Sequence, residues 1–276
     1  LRAAHLALKA GSMKKTDPSI TYLNSYGYNV VKMPRAGIEV MDLVGRDETT
    51  QIIGPISAIW TSTEPAPVPS PPRAMPNVNG QKTDSLDLSL GLDVLAGALQ
   101  ALGASAPSLK LAFHSARSVQ FAYTGVTLTT IQTVEAGNYL TEGTLKTDNP
   151  VVRNYFFNPD SHAYLITSVL KSASISVSAT DANGTDVGID VPAIQGAVGA
   201  TIKVAPTNSS NSTLTFTGPD AVTFGFVVQE ITRDGDQWNL HGVNPSGKIA
   251  FAVGPNAPAD APKPIIFSSP ECRIDI

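Results

Sequence analysis

The sequence is poor in cysteine, histidine and charge, and it has no long apolar run. Its single cysteine, Cys272, stands near the end of the chain. That excludes an intrachain disulfide framework and a cysteine-rich zinc site. The histidines, His5, His114, His162 and His241, are scattered, with no HExxH pattern and no paired spacing. Neither a metal site nor a cofactor is therefore expected. Charged residues make up 15 % of the chain against a usual quarter. The net charge of −4 argues against a general nucleic-acid binder, so no nucleic-acid partner is expected. No window reaches the ~18 apolar residues that a membrane-spanning helix needs. Residues 3–10, interrupted by His5 and Lys9, are too short for a secretory signal. There is no GxSxG and no local nucleophile signature, so no catalytic residue is assigned and an enzyme is not expected.

What is present is apolar alternation with many turns. The chain has 276 residues, 22 glycines and 21 prolines, enough for one large or two small domains and suggestive of a β-rich fold. Gly11-Ser12 before Met13 reads as a cloning junction. Residues 1–12 are set aside on that ground, and the natural chain is expected to start at Met13 as a cytoplasmic protein.

Residues 85–124 set the pattern. Leu86, Leu88, Leu90 and Leu92 alternate with small or acidic residues, which predicts a strand. Val94, Leu95, Ala98, Leu99 and Leu102 follow at helical spacing, with Gly103 as a stop. Alternation then returns: Leu109, Leu111, Phe113, Val119, Phe121 and Tyr123 share one face, predicting a long strand. The slip in phase after Gly125 predicts a bulge before a strand over 126–134.

A second unit repeats this order. Residues 163–179 predict a long strand, with Ala173, Ile175, Val177 and Ala179 alternating with serines. Asn183-Gly184 is a hairpin signal, and Val187, Ile189 and Val191 are expected to return on the partner strand. Asp190 then caps a short helix up to Val198. Strands are also predicted over 29–33, 38–44, 52–62, 201–205, 213–217, 222–233, 237–243 and 248–253. Gly218-Pro219 and Asp234-Gly235 are read as turns. Residues 138–145 and 151–157 read as an irregular aromatic section in which Tyr139, Tyr155, Phe156 and Phe157 plug the core.

Prolines at 65, 67, 69, 71, 72 and 76 make residues 64–76 extended, either a surface loop or a partner-docking segment. Residues 242–248 match most of a phosphate-binding loop, but Ile249 stands where Ser or Thr should, and a turn between strands fits better. Asp186 and Asp190 share a strand face as exposed acids.

Strands with one apolar and one small or polar face could cover a core in water and later line a closed barrel in lipid. The same alternation also describes any antiparallel sheet with one buried face.

Several stretches resemble the bacterial gasdermin family. They are Asp17-Pro18 with Leu23 through Ile38, the proline-rich loop, Gly91 through Leu95, Ala116 through Phe121, and Gly188 through Gly199. The resemblance implies an α+β fold, with a twisted, mainly antiparallel central sheet and short peripheral helices. It implies a pore-forming domain over residues 13–253 and a proline-rich tether with a short inhibitory segment over 254–276. It further implies an activating protease that cuts before that segment. The released body would then self-associate as a ring in the lipids of the inner membrane and kill the cell in antiphage defence.

On this reading Leu109, Leu111, Phe113, Val119, Phe121, Ile175, Val177, Val187 and Ile189 are candidate membrane-spanning residues. Ile265, Ile266 and Phe267 are candidate tail anchors. The cut is expected between Asn244 and Pro264, where Lys248, Asp260 and Lys263 suit different proteases. Lys14, Lys15, Lys32 and Arg35 are candidate lipid-head contacts. The family often carries a lipidated N-terminal cysteine, and the stretch from Met13 to Asp17 has none. Either this member lacks the lipid or its start was altered. The alternative readings are a permanently folded β-rich binding or structural module without membrane activity, and a hydrolase built on His114, His162 or His241.

Overall fold

The computed structural model describes residues 23–24, 26–79, 88–105, 109–241 and 265–267. Two very long antiparallel strands form its spine, β10 (His162–Thr180) and β12 (Thr213–Asp234). They pair from Ala163↔Ile231 to Ser178↔Thr213. Three short strands flank each of them in succession. Beside β10 lie β2 (Asp42–Arg46), β8 (Thr127–Thr130) and β7 (Ser118–Thr124). Beside β12 lie β13 (Gln237–His241), β1 (Asn29–Arg35) and β11 (Lys203–Pro206). With β3 (Thr50–Pro55) outside β2, and the two-residue strands β5 (Arg73–Ala74) and β6 (Val78–Asn79) outside β8 and β7, the sheet has 11 strands among the described residues. A separate pair joins β4 (Trp60–Ser62) to β9 (Gly143–Leu145).

The proline-rich segment is a strap along the β7–β8 edge. Ser70 N donates to Thr130 O at 2.8 Å and Met75 N to Val126 O at 2.8 Å. Between them Arg73 pairs with Leu128. Proline is tolerated on a sheet edge, where its missing N–H leaves no ladder bond unmade.

The sheet is creased at one level. Gly125, at φ +60°, separates β7 from β8. Opposite it, the Ser172 hydroxyl donates to Thr124 O and accepts from Ser174 N, filling a register shift in β10. On β12 the partners jump from Thr217 to Val222 across the same level. The bulge expected at Gly125 is corrected: register with β10 is unbroken from Thr124↔Ser174 to Thr127↔Lys171, so Gly125 only interrupts the strand, and the extra residues lie on β12 between Thr217 and Val222.

The sheet carries two cores, the first of which extends across this line to Leu128, Leu170 and Phe224. One gathers Leu92, Leu95, Ala98, Leu99 and Leu102 of helix α1 (Leu88–Ala101) and its end against Ile175, Val177, Leu214, Phe216 and Phe224. Ile194 and Val198 of helix α4 (Val191–Val198) join them. In α4 the Asp190 carboxylate accepts from Ala193 N at 3.0 Å, the expected cap. The other core gathers Leu43, Trp60, Leu140, Val152, Leu165 and Phe226 under helices α2 (Thr133–Thr141) and α3 (Pro150–Phe157).

Several expected strands are corrected. Leu88, Leu90 and Leu92 lie in α1, because Leu88, Leu92, Leu95 and Leu99 also repeat at helical spacing. Residues 109–115 are a turn: Phe113 N donates to Leu109 O at 3.2 Å, which buries Leu109 and Phe113 and leaves Leu111 76 % exposed. Val187, Ile189 and Val191 form no partner strand. Only Asp186 bridges to Thr180, and the true partners of β10 there are β7 and β12. Gly218-Pro219 is no turn, since β12 runs through it as the bulge. The strand over 38–44 begins only at Asp42, and that over 52–62 breaks at the 3₁₀ turn Ile56–Ala58. The aromatic section is the helices α2 and α3, with Tyr139 and Tyr155 buried but Phe157 44 % exposed. The phosphate-loop match and the strand expected over 248–253 lie outside the described residues.

Candidate functional site

Three places on the molecule bear on function. The first is a slot that reaches from Asn29 of β1 past β12 to Tyr164 of β10 and Arg46 of β2. Asn29, at the start of β1, is fully buried. Its Nδ2 donates to Ile265 O at 3.0 Å, and its Oδ1 accepts from Phe267 N at 2.6 Å. One side chain thus holds both ends of a tripeptide 236 residues further along. The Phe267 ring meets Tyr164 of β10 edge to face at 4.6 Å, and the Arg46 guanidinium of β2 lies 5.2 Å from its centre. Burial pushes the Tyr164 phenol above its ordinary pKa, with the Glu230 carboxylate adding to the shift. Ile265 is buried and Ile266 half-buried. All three expected tail anchors are therefore in contact with the fold or at its surface, and the residues that receive them, Asn29, Arg46 and Tyr164, are ones the sequence did not single out. A contact of such separation leaves no local pattern.

The second place is the half of the sheet beyond the crease. Across three strands the apolar rows are Tyr123–Ile175–Phe216 and Phe121–Val177–Leu214 by register. The rows between them are Thr124–Ser174–Thr217, Ala122–Ser176–Thr215 and Gln120–Ser178–Thr213. Tyr123, Ile175, Val177, Leu214 and Phe216 of the apolar rows pack with α1 and α4 in one core, and the small polar rows are part-exposed. Of the expected membrane-spanning residues, Val119, Ile175 and Val177 lie buried on these strands. Phe121 lies on β7, with its side chain outside the described residues. Leu109 and Phe113 are buried in the turn before β7, and Leu111 is exposed there. Ile189 is buried and Val187 half-buried in the loop leading to α4.

The third place is an open polar cleft of about 410 Å³ between the turn after β2 and the corner joining α3 to β10. Asp47, Asn158 and Asp160 line it, and no histidine or cysteine does. The Asp47 carboxyl sits below its ordinary range, chiefly because it accepts from Thr49 N at 2.9 Å. Among the described residues no group of three or more His, Cys, Asp or Glu side chains could hold a metal ion.

The remaining candidates are placed as follows. His162 pairs with Glu230 at 2.8 Å, His241 is the strand partner of that same glutamate, and His114 bonds the Leu111 carbonyl in the turn before β7. Arg35 is exposed at the end of β1, and Lys32 lies on β1. Lys14, Lys15 and the stretch from Asn244 to Pro264 lie outside the described residues.

A long creased antiparallel sheet with short covering helices is the gasdermin architecture. The structure of a bacterial gasdermin from Bradyrhizobium tropiciagri matches at a TM-score of 0.61 and 18 % identity, over 82 % of this chain and 91 % of that one. The Bacterial Gasdermin Family model matches residues 31–242. A gasdermin bGSDM from a Vitiosangium species is 35 % identical over 241 residues, covering 86 % of this chain and 89 % of the relative. Another from Lysobacter enzymogenes is 32 % identical over 265 residues, 94 % of each. The chain belongs to the bacterial gasdermin family. It is accordingly a pore-forming cell-death protein rather than an enzyme, one whose function involves membrane and self-association. No helix among the described residues is long and apolar enough to cross a membrane.

Proposed function

We propose that this protein is an autoinhibited pore-former switched on by proteolytic loss of its C-terminal segment. Residues 13–253 are the pore-forming body, and residues 254–276 the tether and inhibitory segment. A protease cuts between Asn244 and Pro264. The freed body leaves the cytoplasm, assembles as a ring in the inner membrane and kills the cell in antiphage defence. The observation that carries this reading is the hold of buried Asn29 on Ile265 and Phe267. A segment fixed by two side-chain hydrogen bonds and by Ile265 and Phe267 against one core can be lost while the rest of both cores stays in place.

The candidate membrane residues fit the second half of the proposal. The β7–β10–β12 rows alternate between apolar and small polar, as barrel strands must. Each spanning strand needs ~9–11 residues. Residues 109–117, α1, α4 and the loop holding Val187 and Ile189 are then the pieces that re-form as strand. Lys14, Lys15, Lys32 and Arg35 would meet anionic head groups at about 1 kcal/mol each near the surface.

Expression in bacteria tests this. A chain ended after Val253 should admit a membrane-impermeant nucleic-acid dye within minutes of induction, while the full chain should not. A shortened chain that accumulates folded and leaves cells sealed would overturn the proposal.

A further inference from the structure

The slot at Asn29 holds its occupant in a way that does not depend on covalent attachment. Both Asn29 contacts go to main-chain atoms, Ile265 O and Phe267 N. They fix direction and register and are indifferent to most side chains. Selection comes from two positions only. Ile265 is buried in the core under α2 and α3, and Phe267 packs against the same core between Tyr164 and Arg46. Ile266 is half-buried and lies outside that core. Without an occupant the Asn29 amide loses both protein partners and meets water in their place, so its two hydrogen bonds set direction and register more than affinity.

From these contacts we infer that the slot is a peptide-binding site for a short segment of pattern aliphatic–any–aromatic, and that it takes this chain's own tail in trans as well as in cis. The inference rests on the reading of that segment as inhibitory, and it changes what cutting does. An attached segment meets its slot at an effective concentration on the order of millimolar, a severed one only at its bulk concentration, on the order of micromolar or less. Cutting leaves slot and segment intact and lowers their mutual concentration about a thousandfold. A segment whose dissociation constant lies between those limits is bound before the cut and free after it. Peptide supplied at the lost concentration closes the slot again.

The test uses the full chain with a specific protease site inserted near Asn256, cut, and a synthetic peptide of residues 262–269. Binding is read by anisotropy of the dye-labelled peptide on the cut protein, and inhibition by leakage from dye-loaded anionic liposomes. Several hundred micromolar peptide should slow leakage about tenfold or more, the occupancy expected of a micromolar-range site. An Ile266→Ala peptide should bind within about twofold of the parent, and a Phe267→Ala peptide about tenfold more weakly, as loss of an aromatic anchor implies. Because the substitutions sit in the peptide, the fold of the protein is untouched. Absence of binding, or equal loss from both substitutions, would overturn the inference, as would leakage indifferent to saturating peptide. Binding with the stated pattern to a cut protein that never leaks would uphold the site and sink the pore-forming reading instead.

Discussion

Asn29 and Asp42 show two ways of burying a polar side chain. Asn29 is neutral and matched on both sides, so its burial in the presence of the tail is stabilising. Asp42, 7 % exposed at the start of β2, is matched less well. Its Oδ2 accepts from Glu39 N at 2.8 Å and Lys171 lies near, but loss of solvation outweighs both, and its carboxyl is pushed above the ordinary range. A carboxyl raised in the folded state contributes stability that is present below its unfolded pKa and lost as pH rises through the folded value. Asp42→Asn keeps an acceptor for Glu39 N and removes the charge. The variant should therefore melt with the parent in acid, below the carboxylate range, and above it at neutral pH. Thermal melts across that range by circular dichroism check this; parallel curves for the two proteins would contradict it.

At the scale of elements, the crease is where sequence and packing meet. Gly218 lies in the β12 bulge directly beneath the end of α1. A Cβ there would stand 2.6 Å from Leu102 O and 2.9 Å from Leu102 Cβ. Gly218→Ala must push α1 away from the sheet, at about 1–3 kcal/mol for such overpacking. Urea unfolding should show that loss, and amide exchange should quicken in the last turn of α1 while α3, in the other core, keeps its protection. Uniform quickening would show that the two cores are not separable. The long strand β10 was legible because Ile175, Val177 and Ala179 alternate with serines over enough residues to exclude a helix. The break at Gly125 was legible because the buried phase reverses there, from Tyr123 to Val126 and Leu128, although no extra residue is inserted against β10. The first leucines of α1 were not, since Leu88 and Leu92 fit period two and a helical turn equally well. Leu109, Leu111 and Phe113 misled for the same reason. Leu109 and Phe113 stand four apart, and one helical turn buries both. Helix α3 did leave a signal, Asn149-Pro150, whose Asn149 side chain accepts from Val151 N at 2.9 Å. Gly218-Pro219 reads locally as a turn, and only pairing with β10 straightens it.

For the whole molecule, β1 is the link between its two ends. Asn29 grips the tail, Val31 packs in the core on the tail's side of the crease, and Val30 packs in the core beneath α1. Loss of the tail removes both Asn29 partners at the end of a strand that also supports α1. Helix α1 covers the apolar rows of β7, β10 and β12. On the proposed reading, loss of residues 265–267 leads to exposure of the β7, β10 and β12 strands that α1 covers. The family's pore-forming character was legible from many weak motifs in order, whereas the tail slot was not, because its halves lie at opposite ends of the chain.

The most direct test of that account is dye release from anionic bacterial-lipid liposomes by the purified full chain carrying a protease site near Asn256, before and after cutting. The account predicts sealed vesicles with the intact protein and release that follows the cut. Sealed vesicles after cutting, with the protein still folded and the tail shown to have dissociated, would contradict it.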